Sequence, residues 1–254
     1  MAPWRVVGAS TAGTSHQKLG QACQDAAGWA LGPERSLIVA VADGAGSASH
    51  GGEGARLAVS TAVNFLSNRR TLGSPNAQKD ALVSALERAR SALQSDAGRR
   101  GVTARDMATT LILLQATPDS VAALQVGDGA AVVNARQNGP TGVTSPQTGE
   151  YINETMFITA ADAMDHHQTV CHGYGLTGGA VFSDGLQMLA LKMPEGTPHP
   201  PFFGPLLRFV ADATDAGQAD AALRSFLASP RVTGQTTDDL TLVLFALDAS
   251  PAGE

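Results

Sequence analysis

Short continuous apolar runs alternate along this chain with longer stretches of helical periodicity, and this alternation predicts its elements. The apolar run at 36–42 is typical of a strand buried on both faces, and residues 4–10 predict a strand before it. Residues 54–68 and 77–97 carry apolar side chains on one helical face, so they predict two consecutive helices. Between residues 44 and 54 the composition changes to a glycine-rich turn.

The period changes from residue 108, where the apolar runs become short and closely spaced. Residues 108–116, 120–126 and 130–136 predict three strands joined by a Pro-Asp and a Gly-Asp-Gly turn, the pattern of an antiparallel meander. Residues 142–145 and 150–159 are expected to continue it. The remaining sequence predicts an irregular segment at 159–177 and a strand at 180–183. It then predicts helices at 201–213 and 218–228 and a closing strand at 239–247.

This order of elements favours the α+β class. Helices come in sequential pairs separated by a run of strands, whereas alternating βαβ units would interleave them. Two antiparallel β-sheets packed face to face as a β-sandwich, flanked by the pairs of α-helices, would bury the apolar strands on both sides. No linker or repeat interrupts the chain and 43% of its residues are hydrophobic, so residues 1–254 are expected to form a single domain.

Composition excludes several classes of partner. The net charge is −6 and the pI about 5.5, whereas binding to nucleic acid or to an anionic membrane needs a basic patch. The longest apolar runs have about eight residues, too few for a membrane-spanning helix, and the N-terminus has no apolar signal region. We therefore expect a cytoplasmic protein without nucleic-acid or membrane partners. Cys23 and Cys171 are expected to be reduced, buried thiols.

Aspartates border several of the apolar runs. Carboxylates at strand ends can meet in space, and clustered oxygen ligands without thiolates suit hard cations such as Mg²⁺ and Mn²⁺. Asp-Gly is also the commonest hairpin turn, so a turn alone explains Asp128 equally well, whereas no partner strand follows Asp43 or Asp184. The carboxylates concerned are Asp25, Asp43, Asp128, Asp184, Asp238 and Asp239.

Together these positions carry a family resemblance that spans residues 8–244. The ordered set of fragments resembles the metal-dependent protein phosphatases, known as protein phosphatase 2C or PPM, and in particular their bacterial members. Each fragment alone is weak, but their order is specific, and the β-sandwich of the family agrees with the predicted fold. The fragments are GTSH and GQACQDA at 13–26, VADGAGSA at 41–48, ATTL at 108–111, VGDG at 126–129, FSDGL at 182–186 and TDDLTLV at 237–243.

The resemblance implies a metal centre with defined ligands. Asp43 would bridge two Mn²⁺ or Mg²⁺ ions, and the Gly44 carbonyl would ligate one of them. Asp184 and Asp238 would hold the first ion, directly or through water. The activity implied is hydrolysis of phosphoserine and phosphothreonine by a metal-activated water, on a protein phosphorylated by a bacterial serine/threonine kinase.

Three further carboxylates receive supporting roles from the same resemblance. Asp25 would bind a water molecule that is coordinated to a metal ion, or would lie behind the residues that ligate the ions. Asp128 matches a position that helps bind a third, weaker ion in bacterial members. Asp239 stands where the family often has asparagine, which implies a place behind the ligands.

The chain departs from the family pattern at two positions. Gly20 stands where members usually carry an arginine that grips the substrate phosphate, and Ala45 stands where they carry a histidine proposed as the general acid. His16 or Lys18 could replace the first and His50 the second. Without a replacement acid, the expected loss of rate is roughly 10²–10⁴-fold. The chain could then be a degenerate phosphatase-fold protein that binds a phosphoprotein or regulator, or a phosphatase of small phosphoesters.

The segment 162–175 is rich in polar side chains and histidine. A transition-metal site is disfavoured, since neighbouring histidines on an irregular loop do not easily face one ion. We expect a mobile surface loop instead, which by position matches the flap that borders the site in bacterial members and is a candidate for substrate selection. The side chains that could suggest a transition-metal site are Asp162, Asp165, His166, His167 and His172.

Overall fold

The computed structural model describes residues 4–69, 74–147, 155–173 and 175–248. The strands are β1 Trp4–Thr11, β2 Ala26–Leu31, β3 Leu37–Ala42, β4 Leu111–Ala116, β5 Ser120–Val126, β6 Ala130–Ala135, β7 Gly139–Gly142, β8 Gln168–Gly173, β9 Leu176–Phe182, β10 Leu191–Lys192, β11 Thr197–Pro198 and β12 Leu240–Leu247. The α-helices are α1 Thr14–Lys18, α2 Gly51–Ser67, α3 Pro75–Arg100, α4 Gln187–Ala190, α5 Pro200–Asp212, α6 Ala216–Leu227 and α7 Pro230–Thr233.

Two five-stranded antiparallel sheets pack face to face and form a β-sandwich. The first has the strand order β1-β12-β9-β6-β7 and the second the order β2-β3-β4-β5-β8, while β10 and β11 pair apart from both. Helices α2 and α3 cover the outer face of the second sheet. Helices α5 and α6 cover the outer face of the first. The predicted α+β class, with two antiparallel sheets flanked by pairs of helices, is confirmed.

Strand β3 shows why its sequence is apolar throughout. Leu37, Val39 and Val41 point into the core between the two sheets. Ile38, Ala40 and Ala42 point the other way, into the core beneath α2 and α3. Since successive side chains of a strand alternate between faces, a strand covered on both sides needs an apolar residue at every position.

The four long helices are confirmed with small shifts of their ends. Helix α2 begins inside the predicted glycine-rich turn. Glycines are needed in its first turn because the chain there approaches other backbone too closely for a side chain. A Cβ at Gly51 would lie 2.7 Å from the Ala45 carbonyl oxygen, and one at Gly54 would lie 2.3 Å from that of Met107. In the ranges that the structure describes, no helix is both long and apolar enough to cross a membrane.

Strand β2 and the connection after β5 depart from the sequence-based expectations. Strand β2 is absent from the predicted elements because Gly28 and half-exposed positions weaken its apolar pattern. The Gly-Asp-Gly segment is not a hairpin turn, since β5 belongs to the second sheet and β6 to the first. The predicted meander therefore holds only for β4 and β5, and at Asp128 the chain crosses from one sheet to the other.

Three smaller expectations also change. The strand expected at 142–145 lies a few residues earlier, as β7. Of the strand expected at 150–159, the structure describes residues 155–159, and these do not form a strand. The segment expected to be irregular at 159–177 contains β8, which pairs with β5 and forms the edge of the second sheet. Cys23 and Cys171 are free, as expected, but half-buried rather than buried.

Candidate metal centre

The antiparallel register of the second sheet sets two aspartates side by side. Ala26, the first residue of β2, lies opposite Ala42, the last residue of β3. Asp25 precedes the one strand and Asp43 follows the other, so both carboxylates stand at the same edge of the sheet. Their carboxyl groups lie close enough to change each other's pKa.

The first sheet delivers its aspartates to the same edge of the sandwich. Phe182, at the end of β9, lies opposite both Leu242 of β12 and Ala130 of β6. Strand β9 therefore ends at the edge where its neighbours β12 and β6 begin. Asp184 follows the end of β9 and Asp128 precedes the start of β6, so both stand at this edge. Because β5 and β6 belong to different sheets, Asp128 lies where the chain passes between them.

One carboxylate oxygen from each of Asp43, Asp128 and Asp184 lies within 4.8 Å of the other two. Among the residues that the structure describes, no other set of three or more acidic, histidine or cysteine side chains comes this close together. The polar segment at 162–173 accordingly forms no such group, and there His166 lies 3.5 Å from Asp162 alone.

Hydrogen bonds from the start of β4 fix the backbone of Asp43. The Asp43 amide donates to the Thr110 hydroxyl at 2.9 Å. The Asp43 carbonyl accepts from the Thr110 amide and the Thr109 hydroxyl, each at 2.8 Å. The two threonines therefore hold the end of β3, which explains why the ATTL fragment accompanies the aspartates. In the described chain no amide donates to the next carbonyl, that of Gly44.

Burial and mutual repulsion change the acidity of the two central carboxylates. Burial, followed by the charges of Asp25, Asp184 and Asp238, raises the pKa of Asp43 well above its ordinary value. Burial, followed by the charges of Asp128, Asp238 and Asp25, raises the pKa of Asp184 to about 7. Both groups would therefore resist ionisation in the absence of a positive charge.

Asp25 and Asp128 lie in the same environment, but each accepts a hydrogen bond from a hydroxyl group. Burial raises the pKa of Asp25 to about 6, although the hydroxyls of Ser183 and Thr241 favour its charged form. Burial also raises the pKa of Asp128, although the Thr155 hydroxyl donates to its Oδ2 atom at 2.7 Å. The other oxygen of each carboxylate, Oδ1, is buried and accepts no hydrogen bond.

The donor set fits a hard divalent cation. The ligand atoms are carboxylate oxygens, the cluster contains unpartnered buried oxygens, and its members repel one another. Among the ion pairs of the described ranges, none joins a lysine or arginine to these carboxylates. A half-buried cluster of like charges is stabilised by a compensating cation, and oxygen ligands without nitrogen or sulfur suit Mg²⁺ or Mn²⁺.

Comparison with known proteins identifies the family. The model of the protein phosphatase 2C family matches residues 12–228. A curated relative, serine/threonine-protein phosphatase 3 of Escherichia coli (strain K12), is 39% identical over 248 residues, which cover 95% of this chain and 97% of the relative. The chain belongs to the protein phosphatase 2C family.

Solved structures agree with the fold of this protein phosphatase. The serine/threonine phosphatase Stp1 from Staphylococcus aureus has a TM-score of 0.68 at 14% identity, covering 96% of this chain and 95% of that one. The phosphatase PstP/Ppp from Mycobacterium tuberculosis has a TM-score of 0.65 at 16% identity, covering 96% and 99%. A structure described as the catalytic domain of PstP in complex with two manganese ions has a TM-score of 0.62 at 14% identity, covering 96% and 98%.

The adjacent Asp238 and Asp239 lie in different surroundings in this protein phosphatase 2C. Asp238 is exposed, and its charge acts on Asp43, Asp128 and Asp184. Asp239 is only 2% exposed, and neither of the two aspartates belongs to the group of three ligand atoms. The structure thus places Asp238 beside the cluster and Asp239 behind it.

Asp239 instead joins the N-terminal loop to the start of β12. Its Oδ1 atom accepts from the Gly13 amide at 2.7 Å and contacts His16 Nδ1 at 2.8 Å. Its Oδ2 atom accepts from the Gln24 amide at 2.5 Å. This loop carries Asp25, so Asp239 holds the neighbouring carboxylate in place as well as the ring of His16.

The two histidines with predicted catalytic roles are placed differently. His16 is held by Asp239 and has a side chain that is 16% exposed. His50 precedes the first residue of α2, and its Nδ1 atom lies 3.8 Å from Glu53 Oε1, too far for a hydrogen bond. It does not belong to the group of three carboxylates. Ala45, where a histidine is usual in the family, is buried.

Several residues that shape the site are absent from the predicted set. Ser183 donates to Asp25 Oδ2 at 2.7 Å, and its position directly before Asp184 was the one local signal available. The Gln24 side chain accepts from the Gly52 amide at 2.8 Å and so joins the Asp25 loop to α2. Thr155 contacts Asp128 from a segment far along the chain, which no local pattern indicates.

Proposed function

We propose that this protein phosphatase hydrolyses phosphoserine and phosphothreonine in proteins, at a centre for two Mn²⁺ or Mg²⁺ ions. The observation that carries the proposal is the approach of Asp43, Asp128 and Asp184 oxygens to within 4.8 Å of one another, without a basic partner in the described chain. The name of the Escherichia coli relative and the two manganese ions in the PstP structure support it.

The family resemblance, together with the placement of the strand ends, supports the choice of ligands. Asp43, at the centre of the repelling charges, would ligate both ions, and the Gly44 carbonyl would ligate one of them. Asp184 and Asp238 would complete the first site, and Asp128 would help to bind a third, weaker ion. Bound Mn²⁺ or Mg²⁺ would polarise the phosphoryl oxygens and lower the pKa of water toward neutrality.

The remaining carboxylates position the site rather than ligate it. Asp25 stands beside Asp43 at the sheet edge and is fixed by Ser183, so we expect it to set the orientation of the Asp43 carboxylate. Asp239 accepts three hydrogen bonds and fixes the loop that carries Asp25. We assign to His16 the role of hydrogen-bond donor to the substrate phosphate, because Asp239 fixes its ring, whereas Lys18 is exposed at the end of α1.

Protonation of the leaving group falls to water in this proposal. Ala45 has no proton to give, and His50 lies against Glu53. The absence of a positioned acid predicts a slow enzyme, by roughly 10²–10⁴-fold relative to one that has it. The substrate would be a protein phosphorylated by a bacterial serine/threonine kinase, in the cytoplasm, with residues 1–254 acting as one catalytic domain.

The test is phosphate release from a phosphothreonine peptide, with EDTA, Mg²⁺ and Mn²⁺ in parallel. We expect turnover with either cation, none with EDTA, and none in Asp43→Asn. Asp119→Asn is the matched control, because Asp119 is an exposed aspartate far from the cluster. Retained turnover in Asp43→Asn would refute the two-metal assignment.

A binding protein without turnover is the second candidate, and Gly20 and Ala45 favour it. If calorimetry shows metal binding but the peptide is not hydrolysed, this candidate replaces the first. A third outcome is turnover of p-nitrophenyl phosphate without turnover of the phosphopeptide. That result would assign the enzyme to small phosphoesters instead of proteins.

A further inference from the structure

The segment at 155–160 reaches the candidate metal centre from outside the ends of the strands. The Thr155 hydroxyl donates to Asp128 Oδ2 at 2.7 Å. The second oxygen of Asp128, Oδ1, is buried and accepts no hydrogen bond. The threonine therefore occupies one oxygen of Asp128 and leaves the other for a cation.

This segment is anchored by a side chain of α3. Arg90 Nη1 donates to the carbonyls of Ile158 and Ala160, the latter at 2.7 Å. The Ile158 amide in turn donates to the Thr109 carbonyl at 2.9 Å, and the Ile158 side chain is fully buried. Two sets of hydrogen bonds thus fix the segment three to five residues after Thr155.

Arg90 is half-buried and pairs with no carboxylate in the part of the chain that the structure describes. Its guanidinium faces backbone carbonyls instead, and a single nitrogen, Nη1, donates to both of them. Arg88, on the same helix, differs, because its guanidinium lies 4.5 Å from the centre of the Phe65 ring and away from this segment. The two arginines therefore form a matched pair.

We propose that Arg90 is a positioning residue of the metal centre, acting through the 155–160 segment to hold the Thr155 hydroxyl on Asp128. The inference rests on the proposed function, since it assumes that Asp128 binds a cation. A hydrogen bond to one carboxylate oxygen orients the other, and outer partners of this kind contribute about 10- to 100-fold to metal affinity.

The test is titration with Mn²⁺ by calorimetry, a readout independent of turnover. Asp128→Asn first identifies the binding event that depends on Asp128. Thr155→Val should weaken that event by about 10- to 100-fold, whereas Thr155→Ser, which keeps the hydroxyl, should retain the affinity of the natural protein. Unchanged affinity in Thr155→Val would overturn the inference.

A double-mutant cycle tests the part of Arg90. Arg90→Met should weaken the same Mn²⁺ event, and should add nothing in the Thr155→Val background, because residues that act through one contact are not additive. Arg88→Met should leave the affinity unchanged. An effect of Arg90→Met that adds in full to that of Thr155→Val, or no effect at all, would overturn its assignment.

Two controls separate the possible failures. Arg90→Gln removes the charge and shortens the side chain but keeps a polar end, so it replaces Arg90→Met in the cycle if the latter does not fold. If the natural protein binds no Mn²⁺, the proposed function itself fails. If it binds Mn²⁺ and hydrolyses the phosphopeptide but is insensitive to Thr155→Val, only the present inference fails.

Discussion

The buried Asp239 and the half-buried pair Asp43 and Asp184 lie near one another in this protein and differ in how their oxygens are used. Asp239 has both oxygens occupied, by the Gly13 and Gln24 amides and by the His16 ring. Asp43 and Asp184, by contrast, face other carboxylates, and burial and repulsion raise the pKa of both. Burial alone therefore does not identify a metal ligand, whereas burial without compensating donors does.

The comparison separates two uses of the same residue type. A buried carboxylate with satisfied oxygens stabilises the fold, because it closes loops that are distant in the sequence. A buried carboxylate without partners destabilises the fold and is retained for what it binds. Removing the charge should therefore have opposite effects on stability at the two places.

The largest expected effect is the loss of activity in Asp184→Asn. Removing a ligand should lower kcat/KM by more than about 100-fold, beyond the range for a residue that only supports a ligand. In EDTA the same variant should be more stable than the natural protein, because it relieves a repelling charge. Phosphate release and urea denaturation measure the two quantities. A variant that keeps its activity, or loses stability in EDTA, would contradict the comparison.

Asp239→Ala should have the opposite effect on stability. It leaves the Gly13 and Gln24 amides and the His16 ring without their acceptor, at about 1–3 kcal/mol for each buried donor, so the free energy of unfolding should fall by roughly 3 kcal/mol or more. Urea denaturation in EDTA measures it. Asp119→Ala, an exposed control, should stay within about 0.5 kcal/mol. An equal stability of Asp239→Ala and the natural protein would show that these bonds do not fix the loop.

The pH dependence of stability sharpens the same contrast. Asp184 has a pKa of about 7 and Asp25 one of about 6 in the fold, both above the ordinary value of 3.8. Between about pH 4 and pH 7 the folded protein binds more protons than the unfolded chain, so without metal its stability should fall as the pH rises. The slope is up to about 1.4 kcal/mol per pH unit for each proton.

Denaturation in EDTA across this pH range tests the expectation. Asp184→Asn should flatten the slope, since it removes one of the titrating groups. Saturating Mn²⁺ should reverse the trend, because a cation binds the ionised carboxylates and stabilises the folded state by mass action. A stability that rises from pH 4 to pH 7 in EDTA would contradict the raised pKa values.

The sequence predicts the edge of the sandwich well, because the signal there is local. Apolar runs that end at Asp43 and Asp184 must place both residues at strand ends, and the antiparallel register then brings them together. The crossing at Asp128 is not predictable in this way. A Gly-Asp-Gly segment between two apolar runs has the same local pattern whether the strands pair or belong to different sheets.

The exposure and the hydrogen-bond partners of each carboxylate are even harder to predict from the sequence. Asp238 and Asp239 are neighbours of identical type, yet one is exposed beside the cluster and the other is buried behind it. The difference depends on Gly13 and Gln24, which lie 226 and 215 residues away in the chain. Only the assembled fold shows which buried oxygens have donors.

The smallest expected effect distinguishes the two histidines. The ring of His50 lies near Glu53 and is not in the group of ligand atoms, so His50→Ala should change kcat/KM by less than about threefold. The ring of His16 is fixed by Asp239, and we have assigned it to the substrate phosphate, so His16→Ala should lower kcat/KM by at least about tenfold. Steady-state kinetics with the phosphothreonine peptide measure both. Because Asp239 keeps its two amide donors in His16→Ala, stability should change little, and the loss would reflect catalysis. A larger effect of His50→Ala than of His16→Ala would show that the loop before α2 moves toward the cluster during turnover.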